Sequence, residues 1–137
     1  MKTHRSARSL QLGLFSLAVL TGCAPAGATS APAAAAEEFH RAMADTDTSA
    51  ACALLLPKIR EETAKSADAG TCEGQLEKAE VPEPGRVRQI EQYGQDAFVE
   101  FESDTVFLTV SEGGWKVTAA GCTANGEAPY SCEIGGK

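Results

Sequence analysis

Large aromatic side chains are scarce in this chain: one Trp, two Tyr and five Phe in 137 residues. A small domain with so few needs support beyond its apolar core. No apolar run is long enough to cross a bilayer, since the longest candidate, Leu10 to Leu20, stops well short of the required length. No Cys-x-x-Cys pair occurs and no His stands near the later cysteines, which excludes a structural zinc site. A phosphate loop, a nucleophile elbow and a dinucleotide fingerprint are all missing, so no nucleotide chemistry, cofactor or metal is indicated.

What the chain does have begins at its N-terminus. Lys2, Arg5 and Arg8 precede the short apolar run, and Leu20-Thr21-Gly22-Cys23 follows it. This is the layout of an export signal ending in a lipobox. In such precursors the cysteine thiol receives a diacylglyceryl group, the preceding peptide is cut, and the cysteine becomes the first residue. Thr21 and Gly22 are small enough for the scissile bond to enter the peptidase. Cys23 is therefore the expected lipidation site, carrying fatty acyl chains such as palmitate. Two or more chains give stable membrane retention where one would not. The expected location is the extracytoplasmic face of the cell membrane, with the membrane engaged through the N-terminal lipid.

Removing residues 1–22 from 137 leaves 115, room for one domain and a tether. Three of the twelve basic residues and none of the nineteen acidic ones leave with the signal, so the mature chain carries 9 − 19 = −10. Nucleic acid and anionic lipid surfaces are poor partners for such a chain, and no nucleic acid is expected. The four cysteines other than Cys23 are Cys52, Cys72, Cys122 and Cys132, an even set that reads as a disulfide framework in an exported chain. Three pairings are possible. Neighbour pairing is expected, Cys52 with Cys72 in a helical half and Cys122 with Cys132 in a strand half.

From Ala24 to about Ala36 the chain holds only small residues and Pro, with no charge, and is read as a disordered tether spanning residues 23–36 with the lipidated cysteine. A single domain then occupies 37–137. Helical spacing runs from about Ala34 to Ala79: Phe39 and Met43 share a face with Ala36 and Ala42, Asp47 or Ser49 caps a second helix, Pro57 opens a third, and Thr71 caps a short fourth. Glu61 and Lys65 form an i, i+4 pair in the third. Val81-Pro82-Glu83-Pro84-Gly85 breaks the pattern, and alternation begins. Strands are predicted over Val87–Gln92, Ala97–Glu102, Thr105–Ser111 and from Trp115 through Ala119, with a pinned surface loop between Cys122 and Cys132. The fold class is α+β, with N-terminal helices packed on a twisted antiparallel sheet.

The order of Phe39, Asp45-Thr46-Asp47, Ala51-Cys52-Ala53-Leu54-Leu55, Gly114-Trp115-Lys116-Val117, Ala120-Gly121-Cys122 and Pro129-Tyr130-Ser131-Cys132 resembles small actinobacterial lipoproteins. Their plan resembles the NTF2-like and cystatin-like folds, in which a curved sheet wraps a helix. The resemblance spans about Glu37 to Ile134 and implies fold and location rather than an activity.

Individual residues point to little chemistry. His40, the sole histidine after the signal, has no partner at a recognisable spacing and reads as a surface or edge residue. Its loss is expected to cost about 0.5 kcal/mol or less. Asp45 and Asp47 resemble the opening of a calcium loop, but Gly is missing at the sixth position and Leu56 occupies the twelfth, so they read as turn and cap. Glu100, Glu102 and Asp104 cluster near a hairpin. Alternation sets Glu100 and Glu102 on one strand face, either a solvated surface or a pocket mouth. Trp115 and Tyr130 are candidates for stacking on a ligand, with a core role the simpler reading for Trp115.

These readings converge on a non-catalytic lipoprotein domain that binds a protein or small ligand, with no catalytic residue assigned. Glu100, Glu102, Trp115 and Tyr130 are its candidate contacts. The alternatives are a small NTF2-like enzyme of isomerase or hydrolase type with a carboxylate-lined pocket, and an accessory subunit in envelope assembly or signalling. An enclosed pocket with a desolvated carboxylate favours the enzyme, and a filled core favours the binder.

Overall fold

A computed structural model of the chain describes residues 30–66 and 70–136. The expected signal peptide, Cys23 and the first part of the expected tether lie outside the described residues. Helix α1, Ala31–Ala44, begins six residues earlier than the domain boundary set from composition. The reason is local: Ala is the best helix former, and Pro32 sits in the first turn, where its missing N–H costs nothing. Small side chains also let the helix lie close to its neighbours, and Ala33 and Ala36 are buried without exposure. Residues 31–36 are thus part of the folded domain rather than tether.

Three short helices follow. The turn after α1 places Thr46 in the left-handed region at φ 56°. Asp47 then caps α2, Thr48–Leu54, its Oδ1 accepting from the Ala50 N–H at 3.0 Å. Pro57 opens α3, Pro57–Lys65, as expected, although the ion pair along it joins Lys58 to Glu62 at 3.9 Å, both well exposed. Thr71 Oγ1 accepts from the Gly74 N–H at 3.1 Å and caps α4, Cys72–Leu76. None of these helices is long enough to stand alone. A Cys52–Cys72 disulfide joins α2 to α4.

Five antiparallel strands follow in sequence order: β1 (Val87–Tyr93), β2 (Asp96–Phe101), β3 (Thr105–Ser111), β4 (Gly114–Asn125) and β5 (Ala128–Gly135). The α+β class is as expected. The segment read as a pinned loop is instead a hairpin, in which Cys122 stands directly opposite Cys132 and is disulfide-bonded to it. Gly126-Glu127 forms the turn between the paired ends Asn125 and Ala128, with Gly126 at φ 65°.

The helices cover one side of this sheet. Phe39, Leu55 and Leu76 meet Val99, Val106, Leu108 and Val117 in one core, all essentially without exposure. Burying each such side chain stabilises by roughly 1.5–3 kcal/mol. Between Phe107 and Leu108 the β3–β4 register slips, so Phe107 faces Ala119 while Leu108 faces Val117. The extra residue reverses the alternation along β4 and brings both Ala119 and Ala120 into buried positions. The helical half is tied to the sheet by the Leu56 N–H, which donates to the Val117 carbonyl at 2.9 Å.

Candidate functional site

The β2–β3 turn spans residues 102–104 and is closed by the Phe101 N–H donating to the Asp104 carbonyl at 2.8 Å. It does two jobs at once. Glu102 turns outward to Arg86: its Oε1 accepts from Arg86 Nη2 at 2.7 Å and Nε at 3.1 Å, and its Oε2 accepts from the Arg86 backbone N–H at 3.0 Å. The guanidinium first and the backbone N–H second hold the Glu102 carboxyl below its ordinary value, with the Arg88 charge acting in the same direction against a small desolvation effect. The Ser103 N–H donates to the Pro84 carbonyl at 3.1 Å, so the turn anchors the proline-containing strap ahead of β1.

Asp104 turns inward. Its side chain has no exposure, its Oδ1 accepts from the Cys122 N–H at 2.8 Å, and its Oδ2 lies 3.0 Å from His40 Nε2. The last contact is close but poorly aligned, leaving Nε2 and Oδ2 as buried atoms without a true hydrogen-bond partner. The imidazole is packed edge-on against Phe101 at 5.1 Å between centroids, with Phe39 at 6.0 Å. His40 is only 5 % exposed, which overturns its reading as a surface residue. It lies on the face of α1 that also buries Ala33 and Ala36, and its partner comes from the far side of the chain, where helical spacing gives no hint of it.

His40 also contributes to the lining of a cleft of about 250 Å³. Met43 and Leu76 from α1 and α4 form one apolar wall, and Val81, Pro82 and Pro84 of the strap form the other. Thr46 and Thr48 supply hydroxyls, and Glu77 and Glu83 supply the charged side chains of the lining. The two prolines limit the strap's freedom, so the wall is largely set before anything enters.

The residues singled out from sequence fall elsewhere. Glu102 lies past the end of β2, so it does not share a strand face with Glu100 as alternation suggested. Glu100 is half-buried on β2, opposite Gln89 and Thr105, and neither carboxylate lines the His40 cleft. Trp115 is half-buried and packs against the core, opposite Val110. Tyr130 is exposed and stacks edge-on against Phe107 at 5.1 Å, beside a separate shallow cleft bounded by Pro129 and Ala119. The structure does not bring these four together. Asp104, grouped in sequence with Glu100 and Glu102, is the carboxylate of the cluster that the fold desolvates.

Among the described residues no helix is long and apolar enough to cross a membrane, and no cluster of three or more His, Cys, Asp or Glu is placed to hold a metal ion. Comparison of the chain with family models, characterised proteins and solved structures finds no match.

Proposed function

We propose that the chain is a lipid-anchored extracytoplasmic lipoprotein whose α+β domain, of NTF2-like or cystatin-like plan, binds a small ligand or a protein without catalysing a reaction. The observation that carries this reading is the distribution of cysteines. Cys52 with Cys72 and Cys122 with Cys132 are joined as disulfides, which suits an oxidising compartment, and the fifth cysteine is the one at the lipobox. A core filled by Phe39, Leu55, Leu76 and Leu108 supports binding at a surface cleft over turnover in an enclosed cavity. An enzyme working from Glu100 and Glu102 is disfavoured, because Glu102 is committed to Arg86. The NTF2-like or cystatin-like plan is favoured by helices that precede a sheet connected strand to neighbouring strand.

Mass spectrometry of the mature N-terminus tests the anchor. The expected species begins at Cys23 with diacylglyceryl on its sulfur. Cys23→Ala is expected to leave the precursor uncleaved and unlabelled by fatty acid, whereas Cys52→Ala remains lipidated. An unmodified Cys23 on the native mature protein overturns the reading.

A further inference from the structure

We infer that the cleft beside His40 binds a small organic cation with an apolar body, an inference that rests on the binding reading above and names its ligand class. Two observations converge on it. The walls are apolar, with Met43 and Leu76 facing the strap residues Val81, Pro82 and Pro84, so a ring or short alkyl chain has surface to cover. The charged side chains of the lining, Glu77 and Glu83, are both negative, and no Lys or Arg belongs to it.

Asp104, fully buried, does not line the cleft; its carboxylate lies 3.0 Å from His40 Nε2 and accepts from the Cys122 N–H, so the charge that a ligand meets is that of Glu77 and Glu83. An anionic ligand would meet both glutamates with no Lys or Arg of the lining to offset them, and a neutral one would leave them unused. A monocation places its charge between the two glutamates and its apolar part on Met43 and the prolines. At about 250 Å³ the cleft is at or below the small end of ligand pockets, which points to a single ring or short chain.

The full-length protein, purified in detergent and labelled with ¹³C at its methionine methyls, provides the test. Of the chain's two methionines Met1 leaves with the expected signal peptide, so the Met43 signal reports on the cleft directly. Titration with 2-phenylethylammonium is expected to shift the Met43 methyl saturably, with Kd on the order of 1 mM for a fragment of this size. Phenylacetate, a near-isostere of opposite charge, is expected to leave it unmoved. The exposed pair Glu77→Gln and Glu83→Gln, made together, is expected to weaken the cation by about 5-fold or more, and raised salt to weaken it further. Ala79→Trp, which fills the cleft, is expected to abolish the shift.

A shift with phenylacetate as large as with the amine overturns the cation assignment while leaving a binding cleft in place. An amine shift that survives the double glutamine variant likewise overturns the cation assignment, and no saturable shift with either probe overturns the site itself. The lipid on Cys23 is measured separately, so failure here and failure of the anchor are distinguishable.

Discussion

His40 of α1 and Asp104 of the β2–β3 turn meet inside the domain, Nε2 to Oδ2 at 3.0 Å, and the Asp104 carboxylate is held on its other oxygen by the Cys122 N–H. Three elements that are distant in sequence are thereby fixed to one another: the first helix, the second hairpin turn and the fourth strand. The same imidazole belongs to the cleft lining, so the pair links the packing of the core to the shape of the site.

Removing either member strands the other in an apolar setting. His40→Ala leaves the buried Asp104 carboxylate with the Cys122 N–H alone, and is expected to cost about 3 kcal/mol rather than the small loss expected of a surface histidine. Asp104→Ala additionally orphans the Cys122 N–H and is expected to cost at least as much. Urea unfolding of the two single variants and the double variant checks this. The double variant is expected to lose clearly less than the sum of the singles. Simple additivity would mean that the two groups do not act as a pair.

The two disulfides close loops with sequence separations of 20 and 10 residues. In the chain-entropy description each stabilises by about 3 kcal/mol. Non-reducing proteolysis is expected to release one linked pair of peptides around Cys52 and Cys72 and another around Cys122 and Cys132. Cys52→Ala with Cys72→Ala is expected to lower the urea midpoint by loosening α2 from α4. Cys122→Ala with Cys132→Ala acts on a hairpin that backbone pairing also holds, so its structure is expected to persist at lower stability. A peptide linking Cys52 to Cys122 would contradict both assignments.

The Arg86–Glu102 clamp makes the strap sensitive to acid. Because the Glu102 carboxyl is held below its ordinary value in the folded protein, its contribution is present above the unfolded value, about 4.3, and is lost as pH falls through the folded one. Glu102 is substantially open to solvent, so the effect is small and shrinks with salt. Glu102→Gln is expected to be slightly less stable than the parent at pH 7 and to converge with it as pH drops below 4. Urea midpoints measured from pH 7 to pH 3 check the convergence. A gap that widens toward acid would reverse the sign and exclude the clamp as its source.

How much of this was legible in the sequence depends on whether the signal was local. Asp47 and Thr71 announce their helices because capping acts over three residues, and Val106, Leu108 and Val110 announce β3 because a strand alternates with period two. The start of α1 is ambiguous in the sequence because Ala and Pro suit both a flexible linker and a helix opening, and only contact with the core decides between them. The Gly, Pro and Cys residues of the last hairpin suit a pinned loop, although Asn125-Gly126 between the two cysteines is itself a hairpin turn signal. The site was the least legible part. His40 finds Asp104 through tertiary packing alone, and a carboxylate between Ser103 and Thr105 looks the same in sequence whether it faces water or an imidazole.

The final prediction concerns the seam where β5 returns alongside β4. Gly135 has φ 66°, and a Cβ at that position would run into the Thr118 carbonyl oxygen, next to the place where the β3–β4 register slips. Gly94, in the β1–β2 turn, has a similar φ of 62° but nothing within 4 Å of where its Cβ would stand. The two positions separate backbone strain from collision. Gly94→Ala is expected to cost about 1 kcal/mol, the price of a left-handed conformation alone. Gly135→Ala adds displacement of a backbone carbonyl, which no rotamer change can relieve, and is expected to cost about 3 kcal/mol. Denaturation of both variants under one condition checks the difference, and hydrogen exchange along 118–120 is expected to rise in Gly135→Ala only. Equal losses at the two positions would show that the seam relaxes freely, and that the close approach of Gly135 to Thr118 does not constrain the end of the sheet.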